Sequence, residues 1–285
     1  MVLGQGLGLW MGHDISPLGM AYGLVYTILD LVFIVLLNDW GDRHVDAIKR
    51  QMFPDGCSPK TIPDGILPAR YLLVGGLLAG VLAGAAGFVF EAAVDRPGIA
   101  WVGLAGLLMF GAYTFGPIKL NYRGGGEFVE MLGVGAVLPW LNAYAVGGVF
   151  WDERYVWVLL GSTLMGLSSA LASGLADEES DRAGGKRTFT TMFGNQTIRR
   201  WVAWTLVAGA LAWLSTPLTF PSLSVAALPA GAVALYFGFR MQQISDSAQT
   251  NAFGAQKVFK LMLHRAIWWG STILGLTLGV LAFLG

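Results

Sequence analysis

Apolar residues fall along this chain in long blocks, and polar residues gather between them. Complete blocks cover roughly 17–38, 67–91, 98–116, 126–148, 155–176, 200–216, 221–239 and 263–284. Each is close to the ~20 residues a helix needs to cross a bilayer. A shorter block, residues 2–12, reads as the second half of a helix whose first half precedes the chain. Counting it, the pattern predicts an all-α bundle of about nine transmembrane helices around a central cavity, forming a single domain over residues 1–285. Glycines recur inside the blocks, as in Leu-Val-Gly-Gly-Leu-Leu-Ala-Gly-Val-Leu-Ala-Gly-Ala-Ala-Gly (73–87). Small residues of this kind let membrane helices approach closely.

Composition strengthens this picture. Of 285 residues, 55% are hydrophobic and only 13% charged, about half the charge of an ordinary soluble domain. Disorder needs the opposite balance. Eighteen basic residues offset 18 acidic ones, so no basic excess points to nucleic acid. A single cysteine, Cys57, excludes a disulfide scaffold. The basic residues are also unevenly placed. Sixteen of the 18 lie in connections on one side of the bundle, and only Arg96 and Arg154 lie on the other. By the positive-inside rule the loaded side is cytoplasmic. Two of its connections, about 39–66 and 177–199, are long and one near 240–262 is intermediate, which points to a site at that face.

Two acidic clusters sit there. The first is Asn38-Asp39-Trp40-Gly41-Asp42-Arg43-His44-Val45-Asp46, at the end of the second predicted helix. If that helix continues, Asp39, Asp42 and Asp46 share one face. Like charges so placed repel, and a divalent cation relieves the repulsion. The second is Asp177-Glu178-Glu179-Ser180-Asp181-Arg182, followed by Gly184-Gly185-Lys186-Arg187-Thr188. Asp177 and Asp181, four residues apart, again share a face. Two facing carboxylate clusters hold Mg²⁺ as hard oxygen ligands, and Mg²⁺ shares its shell with substrate phosphates. Lys60, Lys119, Arg123 and Lys186 are available for non-bridging phosphate oxygens. The apolar bundle behind them suits a hydrocarbon tail. This combination predicts transfer of a lipid group from its diphosphate.

The same residues resemble a known family. Asn38-Asp39-x-x-Asp42-x-x-x-Asp46 is similar to the first signature of the UbiA superfamily of intramembrane prenyltransferases. Asp177-x-x-x-Asp181, continued by Gly185-Lys186-Arg187-Thr188, is similar to the second. Tyr113-Thr-Phe-Gly-Pro-Ile-Lys119-Leu-Asn-Tyr122-Arg123-Gly-Gly-Gly-Glu127 resembles the connection between helices four and five, most of all in the branch acting on dihydroxynaphthoate. Ser173-Gly174-Leu175-Ala176 stands where that branch carries Asn-Asn-x-Arg. The resemblance implies Mg²⁺-dependent transfer of a polyprenyl group from polyprenyl diphosphate to an aromatic acceptor, a quinone precursor such as 1,4-dihydroxy-2-naphthoate. It implies catalytic and metal-binding roles for Asp39, Asp42, Asp46, Asp177 and Asp181. Asn38, Lys60, Lys119, Tyr122, Arg123, Glu127 and Lys186 become substrate-binding candidates. An integral protein of a bacterial inner membrane, with its site facing the cytoplasm, is the corresponding location.

Two other readings stay open. One keeps the superfamily chemistry but changes the acceptor to a specialised-metabolite ring, a porphyrinoid or a glycerol-phosphate lipid. The other is a transporter using paired acids, although inverted repeats and interrupted midplane helices are the transporter pattern. Asp30 lies within an apolar block, as either a structural hydrogen-bonding group or a polar lining of the cavity. Glu127 and Glu130 open the fifth predicted helix, as favourable N-terminal charges or as carboxylates acting on the acceptor hydroxyl. Asn142 is expected to tie helices together. The tryptophans at 10, 151, 157, 201, 204 and 213 are expected at the membrane interfaces.

Overall fold

A computed structural model describes residues 1–249 and 251–284. Among these residues there are no strands, and nine helical segments make up the bundle. They are α1 (Val2–Met11), α2 (Pro17–Met52), α3 (Ala69–Ala93), α4 (Ile99–Thr114), α5 (Gly126–Gly147), α6 (Glu153–Ser173), α7 (Asn195–Thr219), α8 (Ser224–Gln243) and α9 (Phe253–Leu284). Seven of them are long and apolar enough to cross a membrane, and α4 is a shorter apolar helix. Large apolar side chains such as Leu31, Val81, Leu108 and Phe283 lie on the outside. A lipid environment accounts for them where water would not.

The bundle has two packed halves. Tyr22, Tyr26, Phe33, Phe90 and Phe110 interlock α2, α3 and α4. Trp213, Tyr155, Met165, Phe259 and Leu274 fill the space between α6, α7 and α9. Trp213 is therefore a core residue and not an interfacial one: it is 0% exposed, and its indole N–H donates to the Val158 carbonyl at 2.9 Å. The glycine approach at Gly161, where a Cβ would lie 2.3 Å from that ring, opens the space it fills. Trp151 and Trp204 remain on the surface.

The ten-residue α1 lies against α5 and α9. A Cβ at Gly6 would sit 1.8 Å from the Gly275 carbonyl oxygen, so backbones touch there and only glycine fits. Asn142 joins helices as expected, donating to the Thr27 hydroxyl at 3.2 Å.

Several predicted boundaries move. α2 runs unbroken to Met52, which carries the first acidic cluster on a regular helix well past the apolar block. α9 begins at Phe253 and α7 at Asn195, each within a segment predicted as connection. Apolar periodicity at the loaded end continues as an amphipathic stripe, with Gln256, Phe259 and Leu263 buried while Val258 and Leu261 are exposed. The 177–194 connection is itself part helical, with short helices at Glu178–Ala183 and Phe189–Phe193. Within α5, Gly133–Val137 forms a π turn beside the cavity described next.

Candidate active site

A cavity of about 400 Å³ lies between α2, α4, α5 and the end of α6. Its walls divide by chemistry. Toward the loaded face they are Asn38, Asp39, Asp42, Glu127, Asp177, Asp181 and Lys186. Toward the opposite face they become mainly apolar, with Ile34, Met109, Phe110, Val134, Val137 and Leu138, and Asp30 as the one carboxyl among them.

The polar end is built by two elements meeting. Continued α2 presents Asp39 and Asp42 on one face. Opposite, α6 tightens into a 3-10 turn at Gly174–Ala176 and restarts at Glu178, which places Asp177 and Asp181 one turn apart. The Asp181 N–H donates to the Asp177 carbonyl at 2.7 Å. A third element closes the end. Gly124 and Gly125 have φ of 90° and 92°, a region open to glycine. They turn the chain so that the Tyr122 carbonyl accepts the Arg187 N–H at 3.2 Å. The Gly-Lys-Arg-Thr run after the second acidic cluster is thereby docked on the Tyr122-Arg123 segment.

Lysines neutralise the acids. Lys186 Nζ donates to Asp42 Oδ2 at 2.7 Å, and Asn121 Nδ2 donates to the other oxygen at 3.2 Å. Lys60 Nζ donates to Asp46 at 2.5 Å, and the Thr61 hydroxyl donates to Asp39 at 2.6 Å. Lys49 donates to Asp177 and, at 2.8 Å, to the Ala176 carbonyl. Among the described residues no donor reaches the Asp181 carboxylate. Burial pushes that carboxyl up to about 7, with Asp177 and Asp42 adding to the rise against the pull of Lys186. Burial alone would lower the Lys186 ammonium, but Asp42 and Asp181 more than reverse that and raise it. At Asp177 burial works upward, and Lys49 and Lys60 outweigh it to hold the carboxyl below its usual range.

The structure thus gathers Asn38, Asp39, Asp42, Glu127, Asp177, Asp181 and Lys186 around one cavity. Asp46 and Lys60 form their pair beside it and are not lining residues. Nor are Lys119, Tyr122 and Arg123. Lys119 holds its ammonium 3.6 Å from the centre of the Tyr122 ring, with Lys186 on the same ring at 5.6 Å. Glu127 accepts the Phe189 N–H at 2.7 Å and so ties the 186–189 segment to α5. Glu130 accepts the Tyr113 hydroxyl at 2.9 Å, and both line the cavity. Asp30 lines it too, with no hydrogen-bond partner among the described residues, which places it as polar lining.

Sequence reasoning missed Lys49, Asn121 and Thr61. Lys49 was foreseeable: it continues the spacing 39, 42, 46 by three residues and so shares the acidic face. Asn121 and Thr61 reach Asp42 and Asp39 from loops, which no periodicity encodes.

The donor set is all oxygen, with no cysteine or histidine in the cavity wall, and this suits a hard cation. Among the described residues no three His, Cys, Asp or Glu side chains converge into a cage. The oxygen donors Asn38, Asp39, Asp42, Asp177 and Asp181 fit a hard cation such as Mg²⁺ that would take further oxygen ligands from outside the protein.

The sequence profile described as the UbiA prenyltransferase family matches residues 1–264. Chloroplastic chlorophyll synthases of Arabidopsis thaliana and Avena sativa are 32% and 31% identical over 169 and 168 residues. These matches cover 58% of this chain and 41% and 42% of those proteins, so the matched region is about two-fifths of their length. Among solved structures, a UbiA homolog from Archaeoglobus fulgidus bound to DMAPP and Mg²⁺ superposes with a TM-score of 0.67 at 16% identity. That match covers 96% of this chain and 94% of the homolog. The same homolog bound to GPP and Mg²⁺ gives 0.68 at 15% identity, covering 96% and 93%. Digeranylgeranylglyceryl phosphate synthase gives 0.56 at 13% identity, covering 96% and 92%. At these identities the structures establish the shared fold.

Proposed function

The chain belongs to the UbiA prenyltransferase family, and from that premise we propose that its cavity transfers a polyprenyl group from polyprenyl diphosphate to an aromatic acceptor, releasing diphosphate. The observation that carries this reading is the division of one cavity into a carboxylate-and-lysine end and a mainly apolar end. An amphiphile with a diphosphate head and a hydrocarbon tail matches both.

Asn38, Asp39 and Asp42 from α2, with Asp177 and Asp181 opposite, would hold Mg²⁺. Bound there, the metal neutralises charge that develops on the departing diphosphate. Lys186 is placed at the same end, a strongly protonated ammonium that can move from Asp42 to a phosphate oxygen. Lys60 sits one pair further out with Asp46. Breaking the allylic C–O bond leaves the electron pair on diphosphate and a cation on the prenyl group. Phe110 and Tyr113, stacked on each other at 5.1 Å, both line the cavity, where their aromatic rings would favour such a cation. The acceptor ring carbon then forms the new bond, and its proton passes to a nearby carboxylate. Glu130, on the wall beside Tyr113, would take that proton.

The leading acceptor is a quinone precursor such as 1,4-dihydroxy-2-naphthoate, from the Tyr122-Arg123-Gly-Gly-Gly-Glu127 segment. About 400 Å³ is toward the small end of ligand pockets, which span roughly 300–1,000 Å³. Two observations favour a porphyrinoid as the second reading. One is the similarity to chlorophyll synthases. The other is the small Ser173-Gly174 wall where the naphthoate branch carries Asn-Asn. The site would face the cytoplasm of a bacterial inner membrane. The test is a product assay: purified protein, Mg²⁺, prenyl diphosphates of graded length, and dihydroxynaphthoate, hydroxybenzoate or porphyrinoid acceptors, read by mass spectrometry. A prenylated naphthoate supports the leading reading. A prenylated porphyrinoid alone supports the second and removes the first.

A further inference from the structure

Asp177 is a wall between two cavities. On its far side lies a second recess of about 340 Å³, between the end of α2, the Ser58–Lys60 loop and the first three turns of α9. Its lining includes Lys49, Lys60, Lys257 and Lys260, with Asp177 as the one acid. Two of these lysines are already paired, Lys49 with Asp177 and Lys60 with Asp46. The other two are not. Lys260 Nζ reaches only a neutral carbonyl, that of Ser173, at 3.1 Å. Among the described residues Lys257 has no hydrogen-bonding or ion-pair partner. Gln256, also lining the recess and 1% exposed, leaves its Oε1 without a donor.

Two surplus ammonium groups in a recess set a positive potential that concentrates anions. A group with two or more negative charges satisfies both at once. Lysines are compact, mobile point charges without the fixed two-pronged grip of arginine. They therefore suit an anion that passes through better than one permanently held. Lys186 lines the catalytic cavity, Lys49, Lys60, Lys260 and Lys257 line the recess, and Asp177 belongs to both walls.

We propose that this recess is a second phosphate site, binding a phosphate-bearing anion between α2 and α9, and that the diphosphate released from the catalytic cavity is its ligand. The choice of diphosphate rests on the proposed reaction, whereas the phosphate chemistry of the recess does not. The headgroup of an anionic phospholipid is the other source of the same chemistry.

The experiment is calorimetric titration of inorganic diphosphate into the purified full chain in neutral-lipid nanodiscs, with Mg²⁺ and with EDTA. Two binding events are expected with Mg²⁺ and one with EDTA, since lysines need no metal. K257Q/K260Q is expected to abolish the event that persists in EDTA, and K257Q alone, at an exposed position, to weaken it. D42N/D181N is expected to abolish only the Mg²⁺-dependent event. An EDTA event that survives K257Q/K260Q, or none in the wild-type chain, overturns the second site and leaves the catalytic reading standing. A missing Mg²⁺-dependent event counts against the catalytic reading alone. Nanodiscs carrying phosphatidylglycerol separate the sources: if the lipid displaces diphosphate in the wild-type chain, the headgroup is the ligand and the product assignment falls.

Discussion

At the scale of single residues, the candidate site is a charge-balance problem. Five aspartates sit at or beside one cavity, and three are held by a lysine each: Asp42 by Lys186, Asp46 by Lys60 and Asp177 by Lys49. A half-buried carboxylate left without its partner is costly, so Lys49→Gln should destabilise the ion-free chain by about 1–3 kcal/mol. Mg²⁺ should restore part of that loss, because the cation replaces the missing charge. Thermal unfolding in EDTA and in Mg²⁺ checks this, and a loss that Mg²⁺ leaves unchanged contradicts it. Asp181 gives a pH prediction. Its carboxyl, raised to about 7 chiefly by burial, is protonated below that pH, and the proton must leave before a cation binds. The Mg²⁺ concentration for half-maximal diphosphate release should therefore rise as pH falls through 7. The limit is about tenfold per pH unit for one displaced proton. In Asp181→Asn this part of the pH dependence should vanish.

At the scale of elements, α2 presents the first acidic cluster and α1 packs by backbone contact. The apolar pattern located the helices that cross the bundle, because lipid on the outside and packing on the inside demand the same residue types. It did not locate the helix ends on the loaded side. There α2 runs on to Met52 and α9 starts at Phe253, through segments whose composition is that of a loop but whose buried positions keep helical spacing. Both acidic clusters were legible because they are short-range patterns, i, i+3, i+7 and i, i+4. Which lysine meets which aspartate was not, since Lys186 and Asp42 are 144 residues apart. Glu127 shows the same limit: it supports the 186–189 segment, a contact that no local spacing announces. The α1 contact rests on absent side chains. Gly6→Val would drive two methyls into the Gly275 carbonyl. Overpacking of this kind costs about 1–3 kcal/mol, so the melting midpoint should fall by several degrees while both acidic clusters stay intact. An unchanged midpoint would contradict the backbone contact.

At the scale of the whole molecule, the distribution of charge gives the bundle its direction. The two arginines on the lightly charged side are both paired, Arg96 with Asp14 and Arg154 with Asp152, which leaves that side with no free cationic patch among the described residues. The single cysteine lies on the heavily charged side, in the loop after α2, and is partly exposed. It reports orientation without any mutation. A membrane-impermeant maleimide should label Cys57 in inverted membrane vesicles and not in intact cells; the reverse pattern would contradict a cytoplasmic site. The central claim is that both acidic clusters act together on a prenyl diphosphate. The most direct measurement is release of inorganic diphosphate from geranyl diphosphate and longer homologues by the purified chain. It would be run with Mg²⁺ and with EDTA, for the wild-type chain, Asp42→Asn and Asp181→Asn. The account predicts Mg²⁺-dependent release that falls by at least about a hundredfold in each variant, the scale of losing one electrostatic contact to a transition state. Release that persists in EDTA, or in either variant at the wild-type rate, would contradict it.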